Sequence, residues 1–406
     1  MVGRPYDEDR DLAALTRIWR EVGWIDDTDE QAKALARVAR RGGTLVGDVA
    51  GEAECAVLRT PGTMRYLDTE LPLCAITGVT TSHVGRRQGL ATALMVETLG
   101  AAVRDGAAVA SLGFFEQGYY DRFGFGTGCY EHRLRFDPAS LRVPVPEAPP
   151  VRVGPDDLGE LHQLMARRHR GHGSVVLDAA DWFVAEWAWL ERPFALGWRG
   201  DDGRLTHALL GSMKDEHGPY VIELLAYEEP AQLLDLLGWI RVLGDQVNQV
   251  VIGWEPVDVQ LQDLIHEPVR QRRVARLAGG SDALHQAIAE QQDRVLDLGA
   301  CIAAVRTPVP ASFGLRLHDP LEALGGWPGI GGEHTVHLGD ASSVTAGIER
   351  GLPVLEASVG ALTRLWLGVR PATGLALTDD LDGPADLLRR LDESLRLPTP
   401  QAGWSF

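Results

Sequence analysis

A basic, glycine-containing run at residues 85–91 is the part of the sequence best suited to bind an anionic ligand. It reads Gly85-Arg86-Arg87-Gln88-Gly89-Leu90-Ala91. A diphosphate needs convergent backbone N–H donors, which such a turn can aim, and the amino end of a following helix adds a favourable dipole. Taken alone, the run could equally be an exposed turn. A Walker-type phosphate loop is excluded, because the sequence has no Gly-Lys-Ser/Thr signature.

The elements predicted around this run place it where open sheets bind ligands. Periodicity and turn residues predict helices at residues 11–22 and 90–103, and strands at residues 44–49, 54–59, 74–80 and 109–114. The order strand, loop, helix, strand indicates an α/β layer with the basic loop at the carboxyl end of a strand. This context favours cofactor binding over an exposed turn.

A second segment is predicted after the proline-rich run at residues 143–150, which we interpret as a domain boundary. It echoes the order of elements in the first segment, with strands at residues 151–153, 220–227 and 250–254 and a helix at residues 231–243. Its counterpart of the basic loop reads Glu228-Glu229-Pro230-Ala231. Those carboxylates would repel a diphosphate, so this segment is predicted to be catalytically silent.

The third segment, from about residue 294 onward, is predicted to be an α+β domain. Strands are expected at residues 313–318, 335–338 and 354–358, and helices at residues 359–367 and 384–395. Residues 319–332 contain five glycines and are interpreted as a long or locally mobile loop. The predicted domains are therefore residues 1–145, 146–293 and 294–406.

Composition limits the class of protein and its partners. With 406 residues, 45% of them hydrophobic, the chain is long and apolar enough for two or three folded domains. A formal charge of −18 repels nucleic acid and favours a basic substrate. Without an apolar stretch of about 18 residues, and with a charged start, we expect a cytoplasmic protein that does not contact a membrane. Four scattered cysteines and unclustered histidines predict reduced, mostly buried thiols and no metal site.

The most specific run of the sequence is Glu116-Gln117-Gly118-Tyr119-Tyr120-Asp121-Arg122-Phe123-Gly124-Phe125-Gly126. Together with the basic loop, Gly78-Val79 ahead of it, and the aromatic end Gly403-Trp404-Ser405-Phe406, it resembles the enhanced intracellular survival (Eis) family of GNAT acetyltransferases. The resemblance implies an α/β and α+β fold in which two GNAT-like domains, the second lacking the cofactor loop, precede a domain similar to sterol carrier proteins. It also implies a homohexamer.

The same resemblance implies roles for individual residues. Tyr120 resembles the family's general acid, and the terminal carboxylate of Phe406 resembles the group that receives the proton of the amine. A phenol with a pKa of about 10 stays protonated at neutral pH and can donate to a leaving thiolate, while backbone N–H near Val79 can serve an oxyanion. The implied acetyl-CoA contacts are Val79, Thr81, Arg86, Arg87, Gln88, Gly89, Leu90 and Ala91.

Two positions depart from the family pattern. The family often has a proline where this chain has His83 and a third arginine where it has Gln88. Both departures affect the rigidity of the loop and its affinity for the cofactor. The backbone N–H groups of the loop should still converge on a diphosphate.

Each site residue also has a plainer interpretation. Tyr120 could belong to an aromatic packing cluster, and Phe406 could lie in a frayed tail. Against fraying, residues 398–406 carry no charged side chain and end in Trp and Phe, which favours docking. Trp24, Asp26 and Asp27 follow the first helix, where GNAT folds usually build the acceptor wall, but they could equally form a surface turn.

The sequence therefore predicts an acetyl-CoA-dependent N-acetyltransferase without a metal. Its expected acceptor is an amine of a polycation, either an aminoglycoside-like molecule or a lysine-containing peptide. The alternative is a non-catalytic small-molecule-binding or regulatory protein on the same fold.

Overall fold

The computed structural model describes residues 3–114, 116–268, 271–273 and 280–406. They form two compact units. The first contains the described residues up to Cys129 together with residues 172–178 and 289–406, and the second contains residues 130–171 and the described residues of 179–288.

The helices, in chain order, are α1 Glu8–Glu21, α2 Asp29–Arg41, α3 Leu90–Arg104, α4 Leu158–Arg167, α5 Asp181–Trp189, α6 Pro230–Val242, α7 Leu298–Ala304, α8 Val359–Trp366, α9 Ala372–Thr378 and α10 Ala385–Ser394. The strands are β1 Arg4–Pro5, β2 Leu45–Val49, β3 Glu52–Tyr66, β4 Thr69–Thr81, β5 Val109–Gly113, β6 Gly126–Thr127, β7 Glu131–Phe136, β8 Val151–Val153, β9 Val175–Leu177, β10 Pro193–Arg199, β11 Leu205–Met213, β12 Tyr220–Tyr227, β13 Val250–Ile252, β14 Gln271–Arg273, β15 Gly280–Asp282, β16 Leu284–Ile288, β17 Gln291–Val295, β18 Ala311–His318, β19 Gly332–Leu338, β20 Ser343–Ala346, β21 Val354–Ser358 and β22 Leu381–Asp382.

The first sheet has the strand order β1-β2-β3-β4-β5-β17-β6, and β9 also pairs with β3. Strands β4 and β5 are parallel, with Leu73 opposite Val109. Apolar residues of α3, including Leu94 and Leu99, share a core with Ile76 of β4 and Leu112 of β5. This sheet and helix confirm the predicted α/β layer, with α3 crossing from β4 to the parallel strand β5.

Three features of the first unit differ from the sequence-based expectation. The strands predicted at residues 54–59 and 74–80 are parts of a long hairpin, whose pairing runs from Cys55 opposite Thr81 to Tyr66 opposite Thr69. Helix α2 was not predicted, although Thr28 caps it by accepting a hydrogen bond from the Gln31 backbone. Residues 291–293, assigned to the second predicted domain, begin β17 of the first sheet.

The second unit contains a separate sheet of order β16-β7-β13-β12-β11-β10-β8. Strand β7, which the sequence analysis assigned to the first domain, pairs with β13 and β16 here. A strand pattern in the sequence does not identify the strand that it will pair with. The sequence therefore contains no signal that β7 would join the second sheet and β17 the first. The domain boundaries at 145/146 and 293/294 remain predictions.

The start of α6 corresponds to the Glu228-Glu229 segment. The Gln232 side-chain oxygen accepts hydrogen bonds from the backbone N–H groups of Glu228 and Glu229, at 2.8 and 2.9 Å. The chain thus satisfies donors at this helix start with its own side chain, as helix starts require. An anion would find fewer free donors there.

The C-terminal part of the first unit carries a sheet of order β20-β19-β18-β21-β22. Strands β18, β19 and β21 and helices α8 and α10 confirm the elements predicted beyond residue 294. The predicted loop at residues 319–332 starts with a short 3-10 helix, Pro320–Ala323. The chain end docks, because Gln401 N–H donates to the His172 carbonyl at 2.9 Å and Trp404 is buried.

The remaining structural observations concern thiols, metals and membranes. All four cysteines are free and buried, as predicted. Among the described residues, no three His, Cys, Asp or Glu side chains are grouped as metal ligands would be. Within the same ranges, none of the helices combines the length and apolar character that a membrane crossing requires.

Candidate active site

A bulge in β4 shapes the start of the site. Leu58 pairs with Thr77 and Ala56 pairs with Thr80, so Gly78 and Val79 together oppose one residue of β3. A bulge leaves one residue out of the ladder and bends the strand. Gly78 has a φ of +57°, and a Cβ there would lie 2.9 Å from the Trp19 ring. Glycine at 78 thus allows the bulge, and Val79 lines a cavity beside it.

The basic loop follows as a tight turn between β4 and α3. Ser82 Oγ accepts a hydrogen bond from Gly85 N–H at 3.0 Å. Gln88 Nε2 donates to the Val84 carbonyl at 2.8 Å. Arg87 and Gly89 have φ angles of +60° and +76°, so the backbone reverses direction within a few residues. In this arrangement the Gln88 side chain closes the turn.

Helix α3 begins directly at this turn. Gly89 is its N-cap and offers no side chain to the first helical N–H groups, and the first turn has no acidic residue. Helix starts leave about four backbone N–H groups without intrahelical partners, and they favour negative charge. Arg86 and Arg87 line the same cavity. Uncapped N–H donors beside two arginines fit the diphosphate of a coenzyme.

The cavity has a volume of about 630 Å³ and brings most of the predicted site residues together. The predicted residues that line it are Trp24, Val79, Thr81, Arg86, Arg87, Gly89, Leu90, Ala91 and Tyr120. The other lining residues were not among the predicted site residues, and they are Glu21, Val22, Thr80, His83, Gly85, Thr92, Glu116, Tyr119 and Arg122. Of the described residues assigned to the site, Gln88, Asp26, Asp27 and Phe406 are not in its wall.

Tyr120 lies at the edge of the core and in the cavity wall. It is 7% exposed, and its ring lies edge-on to Tyr119 at 4.9 Å and to Phe125 at 6.3 Å between centroids. Burial raises the pKa of its phenol well above the ordinary value, and the nearby Tyr119 and Glu116 add to the shift. Tyr120 can therefore be both a member of the aromatic packing cluster and a proton donor, because it is packed and also presents a protonated phenol to the cavity.

Glu21 adds a carboxylate that sequence reasoning missed. It accepts hydrogen bonds from His83 N–H at 3.0 Å and from Arg17 Nη1 at 3.1 Å. The His83 N–H, followed by Arg17, lowers the pKa of Glu21. The available signal was its position as the last residue of α1, just before Trp24. A negative charge thus lies in the cavity wall.

The three residues proposed for the acceptor wall separate in the structure. Trp24 lines the cavity and is edge-on to Trp19 at 5.1 Å. Asp27 is exposed and pairs with Arg20 at 2.8 Å. Asp26 is exposed, and its N–H donates to Gln31 at 2.5 Å. Both residues are exposed in the connection between α1 and α2 and lie outside the cavity wall, so their place in an acceptor wall stays a prediction.

Phe406 lies at the carboxyl end of β5. Its main-chain oxygen is 3.4 Å from the position that a Cβ on Gly113 would occupy. The docked tail thus places Phe406 next to the last residue of β5.

Comparisons with known proteins agree with this geometry. Residues 4–128 match the acetyltransferase (GNAT) domain family. An uncharacterized N-acetyltransferase of Streptomyces avermitilis is 26% identical in an alignment of 340 positions that covers 75% of this chain and 74% of that protein. Residues 4–128 are thus similar to GNAT domains, which use acetyl-CoA, and both matches support an N-acetyltransferase.

Solved structures extend the likeness to the full chain. Eis1 from Mycobacterium abscessus has a TM-score of 0.77 at 18% identity, with 100% of both chains covered. A probable N-acyltransferase from Enterococcus faecalis has a TM-score of 0.80 at 16% identity, covering 100% of this chain and 99% of that one. The chain thus has an Eis-like GNAT acetyltransferase fold.

Proposed function

We propose that the chain transfers the acetyl group of acetyl-CoA to an amine of a polycationic acceptor, such as an aminoglycoside or a lysine-containing peptide. One observation carries the proposal. A single cavity joins an uncapped helix start flanked by Arg86 and Arg87 to the protonated phenol of Tyr120. The first feature suits a coenzyme diphosphate, and the second suits a thiolate leaving group.

Each residue acts on a different part of the reaction. The N–H groups at the start of α3, with Arg86 and Arg87, bind the diphosphate. The bulged backbone at Val79 donates to the carbonyl oxygen as it becomes negative. Tyr120 donates its proton to the departing sulfur. Acetyl-CoA supplies the activated acyl group.

Two carboxylates in the cavity wall support a cationic acceptor. Of the arginines in the same wall, Arg86 and Arg87 are assigned to the diphosphate, and Arg122 lies over the Tyr119 ring. Glu21 is held in its charged form by His83 N–H and Arg17, and Glu116 also lines the cavity. Carboxylates that line a cleft attract an ammonium group and raise its local concentration. The formal charge of −18 acts in the same direction at longer range.

A thiol-release assay tests the reaction itself. With acetyl-CoA, we expect saturable release of CoA in the presence of aminoglycosides, polyamines or lysine peptides, and little release with a simple monoamine of similar pKa. Intact binding of acetyl-CoA without release of CoA for any amine would favour the alternative, a binding or regulatory protein on this fold. Mass spectrometry of the products would identify the acetylated nitrogen.

The terminal carboxylate of Phe406 is the proposed acceptor of the amine's proton. Its support is the docked tail and the proximity of Phe406 to Gly113. Adding residues after Phe406 converts the carboxylate to an amide, and we expect kcat to fall by about tenfold or more. Deleting Phe406 moves the charge by about 3.5 Å and should act alike. A tag on the amino terminus is the control, and full kcat/KM in the extended protein would exclude this role.

A further inference from the structure

A buried arginine lies beneath the turn that carries Tyr120. Arg294 is in the middle of β17, opposite Ala110 of β5, and its side chain is 0% exposed. Its Nη1 donates a hydrogen bond to the Phe123 carbonyl. Its Nη2 donates to Asp319 Oδ2 at 2.5 Å. The guanidinium thus joins the turn of Tyr120 to the start of the loop after β18.

The turn held by Arg294 is a short 3-10 helix, Asp121–Phe123. The Tyr120 carbonyl accepts from Phe123 N–H at 2.9 Å and from Phe125 N–H at 3.4 Å. Gly124 follows with a φ of +76°, and a Cβ there would overlap Arg294 Nη1. Glycine at 124 therefore serves the turn and also admits the guanidinium.

Asp319 fixes the other end of the contact. Its side-chain oxygens accept from Leu321 N–H at 3.0 Å and from Ile330 N–H at 2.9 Å, besides Arg294. The carboxylate is completely buried. The Trp327 ring lies 5.4 Å from the Arg294 guanidinium carbon, which closes that side of the pair. Both charges are held in one arrangement, because each has few ways to move in a packed interior.

We propose that Arg294, oriented by Asp319, is a positioning residue for Tyr120. Its hydrogen bond to the Phe123 carbonyl fixes the position of the 3-10 turn. This position directs the Tyr120 phenol toward the cavity. The catalytic geometry of the N-terminal domain then depends on a residue pair whose carboxylate comes from the C-terminal part of the chain. This inference rests on the proposed role of Tyr120 as proton donor.

The experiment removes the hydrogen bond from Arg294 to the Phe123 carbonyl and leaves no buried charge unpaired. The double variant Arg294→Met with Asp319→Asn replaces the ion pair by neutral groups, a change that buried pairs often tolerate. Asn keeps a side-chain oxygen for one of the two loop N–H groups. We expect kcat to fall by about tenfold or more, as small misplacements of a catalytic group do. The KM and the Kd for acetyl-CoA should not change, since the loop at residues 85–91 is untouched.

The Tyr120→Phe background separates positioning from general stability. If Arg294 acts through the phenol, the double variant lowers kcat no further once that hydroxyl is gone, so the two effects are non-additive. Arg316→Met is the matched control, because Arg316 forms an exposed ion pair with Glu356 on neighbouring strands of the C-terminal sheet. It should leave kcat unchanged.

The possible outcomes distinguish this inference from the proposed function. Normal kcat in the double variant, with a large loss in Tyr120→Phe, would overturn the positioning role and leave the mechanism standing. A loss of kcat that adds fully to that of Tyr120→Phe, or parallel rises in the KM of both substrates, would indicate a structural role instead. Normal kcat in Tyr120→Phe would overturn both.

Discussion

Tyr120→Phe should fold normally, bind acetyl-CoA as before, and lose kcat by about 10² or more, the scale expected for a proton donor. The substitution removes only the hydroxyl, so the ring contacts with Tyr119 and Phe125 remain. Thiol release at saturating substrates measures kcat, and calorimetric titration measures the Kd for acetyl-CoA. A near-normal kcat would remove Tyr120 from the mechanism.

Tyr66→Phe is the matched control for loss of a buried phenol. The Tyr66 ring is fully buried and stacks on Trp366, and its hydroxyl donates to the Trp366 carbonyl at 3.0 Å. Losing that hydrogen bond should lower the free energy of unfolding by about 1 kcal/mol. Its kcat should stay normal, because the hydroxyl has a structural partner.

The pH profile gives a second readout for Tyr120. Burial raises its pKa, so the phenol loses its proton only well above the ordinary value of about 10. The protonated form is the donor, and it is therefore fully present below that raised pKa. We expect kcat/KM to show no alkaline decline up to pH about 10. A decline centred below that pH and absent in Tyr120→Phe would contradict the raised pKa, whereas a decline that persists in Tyr120→Phe would belong to another group.

Arg86→Ala combined with Arg87→Ala should raise the KM for acetyl-CoA by about tenfold or more and barely change that for the amine. Only the coenzyme carries the diphosphate, and charge-assisted hydrogen bonds to it are lost. Initial rates with each substrate varied in turn give the two KM values.

The control for this double variant is Arg40→Ala with Arg41→Ala. Those two arginines end α2 and are exposed, so the change in net charge is the same. If the control raised the KM for acetyl-CoA equally, long-range charge would explain the effect. Equal rises in both KM values for the Arg86 and Arg87 variant would instead indicate misfolding.

The loop and helix proposed to bind the coenzyme were predictable from the sequence because their signals are local. Gly89 is the N-cap of α3, and a mostly apolar run follows it up to the stop at Asp105-Gly106. The strands on either side have their own apolar runs. Helix α2 was missed although its signals are also local, since Thr28 caps it, its first turn is acidic and its last turn is basic.

Contacts between distant segments could not be predicted in this way. Glu21 and His83 meet over 62 positions, and Arg294 meets Phe123 over 171. Nothing in the sequence marks these four residues as contact partners. Their separation along the chain does not follow a pattern that would predict the contact. The exchange of β7 and β17 between sheets is of the same kind, because a strand pattern does not identify the edge it will join.

The sequence by itself therefore determined the class of enzyme, the proposed coenzyme loop and the candidate tyrosine, since these depend on short runs with a local conformation. The tertiary structure alone decided which charges face the cavity, that Asp26 and Asp27 lie on the surface, and what holds the turn of Tyr120. Those features depend on packing between residues far apart in the chain, where burial and unpaired hydrogen-bonding groups select the partners.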